Sequence, residues 1–159
     1  MTVGALTTYG SLLDAAPTGV GALLDATGAV GDIQIRNRGT VGGNLAAAHP
    51  ASDIPAAALA LDATIQLTGP DGDRTVPSGR FYRDDGKTIC GNDELLTELT
   101  VPRSAEGGSA YARKTHPSTG YAAVGVAAWV ALDSGEISAA RVVATGVLNR
   151  PVRLEPVEQ

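Results

Sequence analysis

The stretch Gln34–Pro55 concentrates residues that could hold a small-molecule ligand. It contains Gly39-Thr40-Val41-Gly42-Gly43-Asn44, which predicts a tight loop because adjacent glycines adopt backbone angles closed to other residues. The N–H groups of such a loop can bind an anion, and the Thr40 hydroxyl and the Asn44 amide add directed hydrogen bonds. From these residues alone, a structural turn between two packed elements is the commoner interpretation, and no ligand is named.

A helix over Asp53–Leu61 is predicted after this loop. Ser52 is a credible N-cap, and Pro55 is tolerated in the first helical turn. Asp53 is then either a ligand-binding carboxylate or simply an acidic residue favoured there by the helix dipole.

Six motifs follow one another along the chain. They are V-G-A-L-T-T-Y, I-R-N-R-G-T-V-G-G-N, P-A-S-D-I-P, A-L-A-L-D-A, D-E-L-L-T-E-L-T-V-P and S-A-Y-A-R-K-T-H-P-S-T-G-Y-A-A-V-G-V-A-A. Together they resemble, over nearly the whole chain, the FAD-binding (PCMH-type) medium subunit of the molybdenum hydroxylases. This family includes the carbon monoxide dehydrogenase medium subunit and the xanthine dehydrogenase FAD subunit. The pair G-T-V-G-G-N and P-A-S-D-I-P, in this order and spacing, is the most specific part.

The resemblance implies FAD as the cofactor and assigns its contacts to residues of this chain. The matching loop, which contacts the phosphate and ribityl portions, comprises Thr40, Val41, Gly42, Gly43 and Asn44. Asp53 falls where the family has a carboxylate that bonds the flavin side.

Three further positions follow from the same resemblance. Leu95 or Leu96 falls near an apolar contact with the ring system, although a core leucine would look the same. Tyr121 matches an aromatic residue beside the isoalloxazine, or is a core tyrosine at a strand end. Arg113 stands where many relatives carry lysine, and the forked, bulkier guanidinium makes that change more than neutral.

Composition excludes several other classes of protein. The net charge of -5 and the pI near 4.9 argue against a nucleic-acid surface. A single cysteine, Cys90, excludes an internal disulfide and a cysteine-ligated cluster. The start lacks a secretory signal pattern, and the longest apolar run, Ala122–Leu132, is too short to span a bilayer. We therefore expect a cytoplasmic protein without membrane insertion or nucleic-acid binding.

Other site chemistries find little support. P-loop, Rossmann and hydrolase-elbow motifs are absent from the sequence. The two histidines, His49 and His116, each precede a proline as turn residues would, and a metal pair is the less favoured interpretation. No metal site and no catalytic acid, base or nucleophile is predicted.

The elements predicted around these residues indicate an α+β fold, an antiparallel sheet with helices followed by a β-rich part. Helices are predicted over Tyr9–Ala15, capped by Thr8, and over Gly19–Ala29, capped by Thr18. Predicted strands cover Thr2–Leu6, Thr64–Thr68, Arg74–Val76, Leu95–Val101, Ser109–Thr115, Tyr121–Leu132 and Ile137–Thr145, and hairpin turns lie at 69–73 and 133–135. The resemblance divides the chain into a second FAD-binding subdomain, 1–103, and the start of the C-terminal flavoprotein domain, 104–159.

The resemblance also implies a function in a larger assembly. The flavin would pass electrons between iron–sulfur clusters and an external acceptor, with a molybdopterin-binding large subunit and a 2Fe–2S small subunit as partners. Relatives carry an upstream A-G-G-x-S loop for the FAD pyrophosphate, and we expect this chain, which starts beyond it and stops early, to lack it. The alternative is therefore a truncated, flavin-free scaffold of the same fold, for which a homo-oligomer is a candidate arrangement. A third interpretation is another nucleotide, such as FMN or ADP, in the same half-site.

Overall fold

The computed structural model describes residues 1–102 and 107–158 and confirms the α+β class. The five helices of these residues are Tyr9–Ala15 (α1), Gly21–Ala29 (α2), Ile33–Arg38 (α3), Val41–Ala47 (α4) and Ile54–Ala60 (α5). The strands are Thr2–Gly4 (β1), Thr64–Gly69 (β2), Gly72–Pro77 (β3), Leu95–Thr100 (β4), Gly107–Thr115 (β5), Ala122–Asp133 (β6), Glu136–Thr145 (β7) and Val152–Arg153 (β8). Short 3₁₀ turns cover Ser78–Arg80 and Glu155–Val157.

The first sheet has the strand order β1-β4-β2-β3, with every neighbouring pair antiparallel. The predicted hairpin is confirmed, and Gly69 pairs with Gly72 across a turn of Pro70 and Asp71. At the other side of the sheet, the Met1 ammonium donates to the carbonyl of Val101 at 2.7 Å, next to the pairing of β1 with β4. The start of the chain is therefore part of the sheet.

The second sheet is a meander, β5-β6-β7-β8, also antiparallel throughout. Its β6–β7 turn is the predicted one, with Ser134 and Gly135 both at positive φ, 52° and 88°. Two positive φ angles are the signature of the hairpin turn whose twist matches that of the flanking strands. The predicted division at residue 103/104 falls on residues 103–106, outside the described residues, and stays a prediction.

Helix α5 is apolar on all sides because it is buried on all sides. It packs against β6 and β7 of the second sheet and against α2 and α4. Small side chains at Ala56, Ala57 and Ala58, all fully buried, allow this close approach. The buried apolar residues of both sheets and of the helices form one continuous core.

Two helix starts differ from the predictions. Helix α2 begins at Gly21 and not at Gly19, and Thr18 is not its cap; the N–H of Ala22 instead donates to Ser109 Oγ of β5 at 3.1 Å. Helix α5 begins at Ile54, and Ser52 does not cap it. Both starts are set by tertiary contacts, which local sequence does not reveal.

Helix α3 was not predicted at all. It buries none of its residues, so the apolar periodicity that marks a packed helix is missing. The available signal was Asp32, whose carboxylate accepts from the N–H of Ile35 at 2.9 Å as an N-cap.

Candidate functional site

The stretch Thr40–Asn44 is the start of helix α4, and the prediction of a tight loop there is wrong. Its amides are already hydrogen-bonded. Those of Val41 and Gly42 donate to the carbonyls of Thr7 and Ala5, and that of Asn44 donates to the carbonyl of Thr40. The N–H of Gly43 donates to Thr40 Oγ1 at 3.1 Å, so Thr40 is the N-cap of α4. These amides therefore do not form the expected cradle for a phosphate.

Packing explains the glycine pair. A Cβ on Gly42 would overlap the Cβ of Ala5 and lie 2.8 Å from the Ala5 carbonyl oxygen. A Cβ on Gly43 would lie 2.8 Å from the capping oxygen of Thr40. Gly42 thus allows α4 to approach the segment after β1, and Gly43 leaves room for the capping hydroxyl of Thr40. Val41 is fully buried, and Thr40, Val41, Gly42 and Gly43 do not line the pocket described next.

An open pocket of about 190 Å³ lies beside the start of α5. Its walls come from both halves of the chain. The lining residues are Val30, Gly31, Ile35, Asn44, Ser52, Asp53, Arg113, Thr119, Gly120 and Tyr121. Four residues predicted from the resemblance, Asn44, Asp53, Arg113 and Tyr121, therefore meet at one place.

Asp53 is the most constrained residue of the pocket. Its side chain is 4% exposed, and Arg113 Nη1 donates to its Oδ2 at 2.6 Å. The hydroxyl of Tyr111 donates to its Oδ1. A second donor of Arg113, Nη2, bonds the carbonyl of Ala29 at the end of α2. Although Asp53 occupies the N-cap position of α5, its carboxylate makes no capping bond.

Burial is the main cause of the shifted pKa values of Asp53 and Tyr111. It raises the pKa of the Asp53 carboxyl above its ordinary value, while the bonds from Tyr111 and Arg113 oppose that rise. Burial and the bond to Asp53 also raise the pKa of the Tyr111 phenol well above its ordinary value. Tyr111 therefore remains a hydrogen-bond donor throughout the physiological pH range.

Asn44 lines the pocket and carries an unsatisfied side-chain acceptor. Its Oδ1 is buried and has no hydrogen-bond partner among the described residues. A buried polar atom without a partner costs free energy, which makes this oxygen a candidate acceptor for a ligand donor.

The outer wall is an aromatic stack. The rings of His49 and Tyr121 lie 4.4 Å apart between centroids and 20° from parallel. Tyr121 is 49% exposed, so the prediction of a ligand-facing aromatic residue agrees with its position better than a core tyrosine does. His49 follows α4 and Tyr121 follows the turn after β5, so the stack joins the two halves of the chain beside the pocket.

Leu96 does not line this pocket, and its contact with the flavin ring stays a prediction. It lies in β4 opposite Leu67 and packs, partly buried, against the core. Sequence reasoning also missed Tyr111 and the role of His49. Tyr111 precedes Arg113 by two residues on one strand, and strand alternation places both on one face, which was the available signal. Nothing local indicates the stacking of His49.

The family comparison agrees with this geometry. The family described as "FAD binding domain in molybdopterin dehydrogenase" matches residues 1–104. The chain belongs to this family. FAD is therefore the cofactor that the family implies for this FAD-binding domain.

Two of the relatives are named as medium chains of dehydrogenases. The domain is 34% identical to the glyceraldehyde dehydrogenase medium chain of Sulfolobus acidocaldarius, over 100% of this chain and 57% of the relative. It is 35% identical to the carbon monoxide dehydrogenase medium chain of Hydrogenophaga pseudoflava, over 84% of this chain and 47% of the relative. The structure of reconstituted CO dehydrogenase from Oligotropha carboxidovorans superposes with a TM-score of 0.88 at 30% identity, covering 99% of this chain and 56% of that one. The chain thus spans about half the length of these relatives.

The pocket fits part of the cofactor. Its volume of about 190 Å³ is below the roughly 300–1,000 Å³ of pockets that enclose a whole drug-sized ligand. Its apolar walls with a few directed polar groups suit one portion of a flavin nucleotide. In the described ranges 1–102 and 107–158, no helix is long and apolar enough to cross a membrane, and no cluster of three or more His, Cys, Asp or Glu could hold a metal ion.

Proposed function

We propose that this chain is the FAD-binding module of a molybdenum-hydroxylase-type oxidoreductase. One observation carries the proposal: the pocket shared by Asn44, Asp53, Arg113 and Tyr121, in a chain of an FAD-binding family. When bound, FAD would accept electrons from iron–sulfur clusters and pass them to an external acceptor. The chain itself supplies binding and orientation, and no side chain is required as an acid, base or nucleophile.

In this proposal each wall of the pocket has a distinct task. Asn44 Oδ1 accepts a hydrogen bond from the cofactor, which would satisfy its buried oxygen. Asp53, held by Arg113, offers a fixed carboxylate. The stack of Tyr121 on His49 provides a flat apolar surface, and Ile35 lies on the rim with half of its surface exposed.

The proposal extends to partners. A molybdopterin-binding large subunit and a 2Fe–2S small subunit are proposed, because the relatives are named medium chains of dehydrogenases. A nucleic-acid partner is not proposed, since the net charge is -5. The cytoplasmic location and a homo-oligomer remain predictions from the sequence.

The test is a ligand titration of the purified full chain. Its visible absorption is recorded first, and FAD, FMN and ADP are then titrated separately by calorimetry. We expect FAD to bind. We also expect Asn44→Ala to weaken FAD binding at least about tenfold, because one hydrogen bond in the pocket is lost.

The matched control is Asn92→Ala, which changes an exposed asparagine outside the pocket. It should leave FAD affinity unchanged. The thermal midpoint of each variant is recorded as well, so that a loss of FAD affinity is distinguished from a loss of stability. A colourless chain that does not bind added FAD would support the flavin-free scaffold, and binding of ADP or FMN alone would support another nucleotide.

A further inference from the structure

Strand β5 holds the carboxylate of Asp53 from two sides. Tyr111 donates its hydroxyl to Oδ1, and Arg113 donates Nη1 to Oδ2 at 2.6 Å. Both residues point to the same face of the strand because side chains alternate. The neighbouring backbone is fixed as well, since Thr145 Oγ1 of β7 donates to the carbonyl of Ser52 at 2.9 Å. Asp53 therefore owes its position to the second sheet.

Gly125 of β6 leaves the space that this arrangement needs. Arg113, Gly125 and Thr145 pair side by side across β5, β6 and β7. The middle residue of this row has no side chain. A Cβ on Gly125 would overlap the Tyr111 hydroxyl and lie 3.0 Å from Cγ2 of Thr145. The hydroxyl of Tyr111 thus occupies the space above Gly125.

We infer that Tyr111 is a positioning residue of the flavin site, with its hydroxyl accommodated by Gly125: it fixes the Asp53 carboxylate, which in turn keeps Arg113 in the pocket wall. Tyr111 does not itself line the pocket, so it acts through Asp53. The inference rests on the proposed function, because the ligand whose binding it affects is FAD. A tyrosine that only filled the core would have no effect on the carboxylate.

The first test uses Tyr111→Phe, which keeps the buried ring and removes only the hydroxyl. We expect the Kd for FAD to rise about tenfold, because a hydrogen bond to a charged group in the site is lost. In the Asp53→Asn background the same change should have little further effect, as expected for residues that act as one unit. The matched control is Tyr82→Phe, since Tyr82 is also buried and its hydroxyl donates at 3.0 Å to the carbonyl of Leu45.

A second readout needs no FAD. The carboxyl of Asp53 is titrated by carbon-detected NMR in the ligand-free chain. Because the Tyr111 bond lowers the pKa of Asp53, the pKa should rise further in Tyr111→Phe and stay unchanged in Tyr82→Phe. Gly125→Ala should displace the hydroxyl and give the same rise, whereas Gly108→Ala, on β5 with open space at its Cβ, should not.

The two readouts separate the two claims. If the wild-type chain binds no FAD but the Asp53 titration responds to Tyr111→Phe, the proposed function fails and the positioning of Asp53 stands. If wild type binds FAD and a folded Tyr111→Phe binds it equally well, the positioning role is overturned. An Asp53 titration that ignores both Tyr111→Phe and Gly125→Ala overturns it as well.

Discussion

The guanidinium group of Arg113 joins three segments of the chain. It bonds Asp53 before α5 and the carbonyl of Ala29 at the end of α2, and its own backbone lies in β5. The ion pair is nearly dry, with the side chains of Arg113 and Asp53 13% and 4% exposed. A buried pair contributes little net stability, yet removing one partner is costly because the other charge stays buried.

The loss of stability caused by a substitution at Arg113 should therefore depend on the charge and on the shape of the new side chain. Arg113→Lys keeps the charge but loses the fork, and we expect the free energy of unfolding to fall by about 1–3 kcal/mol. Arg113→Met leaves Asp53 without its cation and should cost about 3–5 kcal/mol. Urea unfolding measures both. Arg83→Met, at an exposed arginine, should stay within about 0.5 kcal/mol of wild type; an equal loss there would contradict the role of the buried pair.

Among individual residues, those that lie within the recognised motifs could be predicted from the sequence. Asn44, Asp53, Arg113 and Tyr121, assigned to the cofactor by the resemblance, line one pocket, and their contacts with FAD stay predictions. The glycine pair was misassigned because glycine serves equally an anion-binding loop and a close helix contact. His49 was missed because its stacking depends on where a distant strand connection folds.

The start of a helix could be predicted only where local sequence supplies its cap. Thr8 caps α1 through its Oγ1, which accepts from Ser11 at 3.1 Å, and the predicted bounds of α1 are confirmed. Helices α2 and α5 start without a local side-chain cap. Their starts depend on Ser109 of β5 and on the second sheet, and the predicted bounds failed there. The alternating strands and tight turns were predictable because their signals lie within a few residues.

The contact of β3 with the segment before β4 should depend on pH. Arg74 donates to both carboxylate oxygens of Glu94, at 2.6 and 2.7 Å, and these bonds, with a bond from the N–H of Gly91, hold the pKa of Glu94 at about 2, below its ordinary 4.5. A carboxyl group whose pKa is lowered in the folded state contributes its full stability at pH values above the ordinary pKa. This contribution is lost as the pH falls toward the pKa of the folded state.

The measurement is the thermal midpoint as a function of pH. We expect Glu94→Gln to be less stable than wild type at neutral pH, with the difference shrinking as pH falls from 4.5 toward about 2. Glu98→Gln, at an exposed glutamate of β4, is the control. A difference between Glu94→Gln and wild type that stays constant through this range would exclude the ion pair as its source.

The whole molecule has one core, to which both sheets contribute. We therefore expect a single cooperative unfolding transition. Trp129, the only tryptophan, reports on the second sheet by fluorescence, and far-UV circular dichroism reports on the helices, all of which precede β2 among the described residues. The two urea curves should coincide. Separate midpoints would show that the two predicted parts, 1–103 and 104–159, unfold independently.

The row formed by Arg113, Gly125 and Thr145 ties the pocket to the register of three strands. One residue inserted or deleted inside β6 would reverse the face of every side chain beyond it and bring a valine, Val124 or Val126, to the place of Gly125. The methyl groups of that valine would displace the Tyr111 phenol from the Asp53 carboxylate. Changes of chain length should therefore be tolerated at the exposed Ser134–Gly135 corner and rejected within the 12 residues of β6.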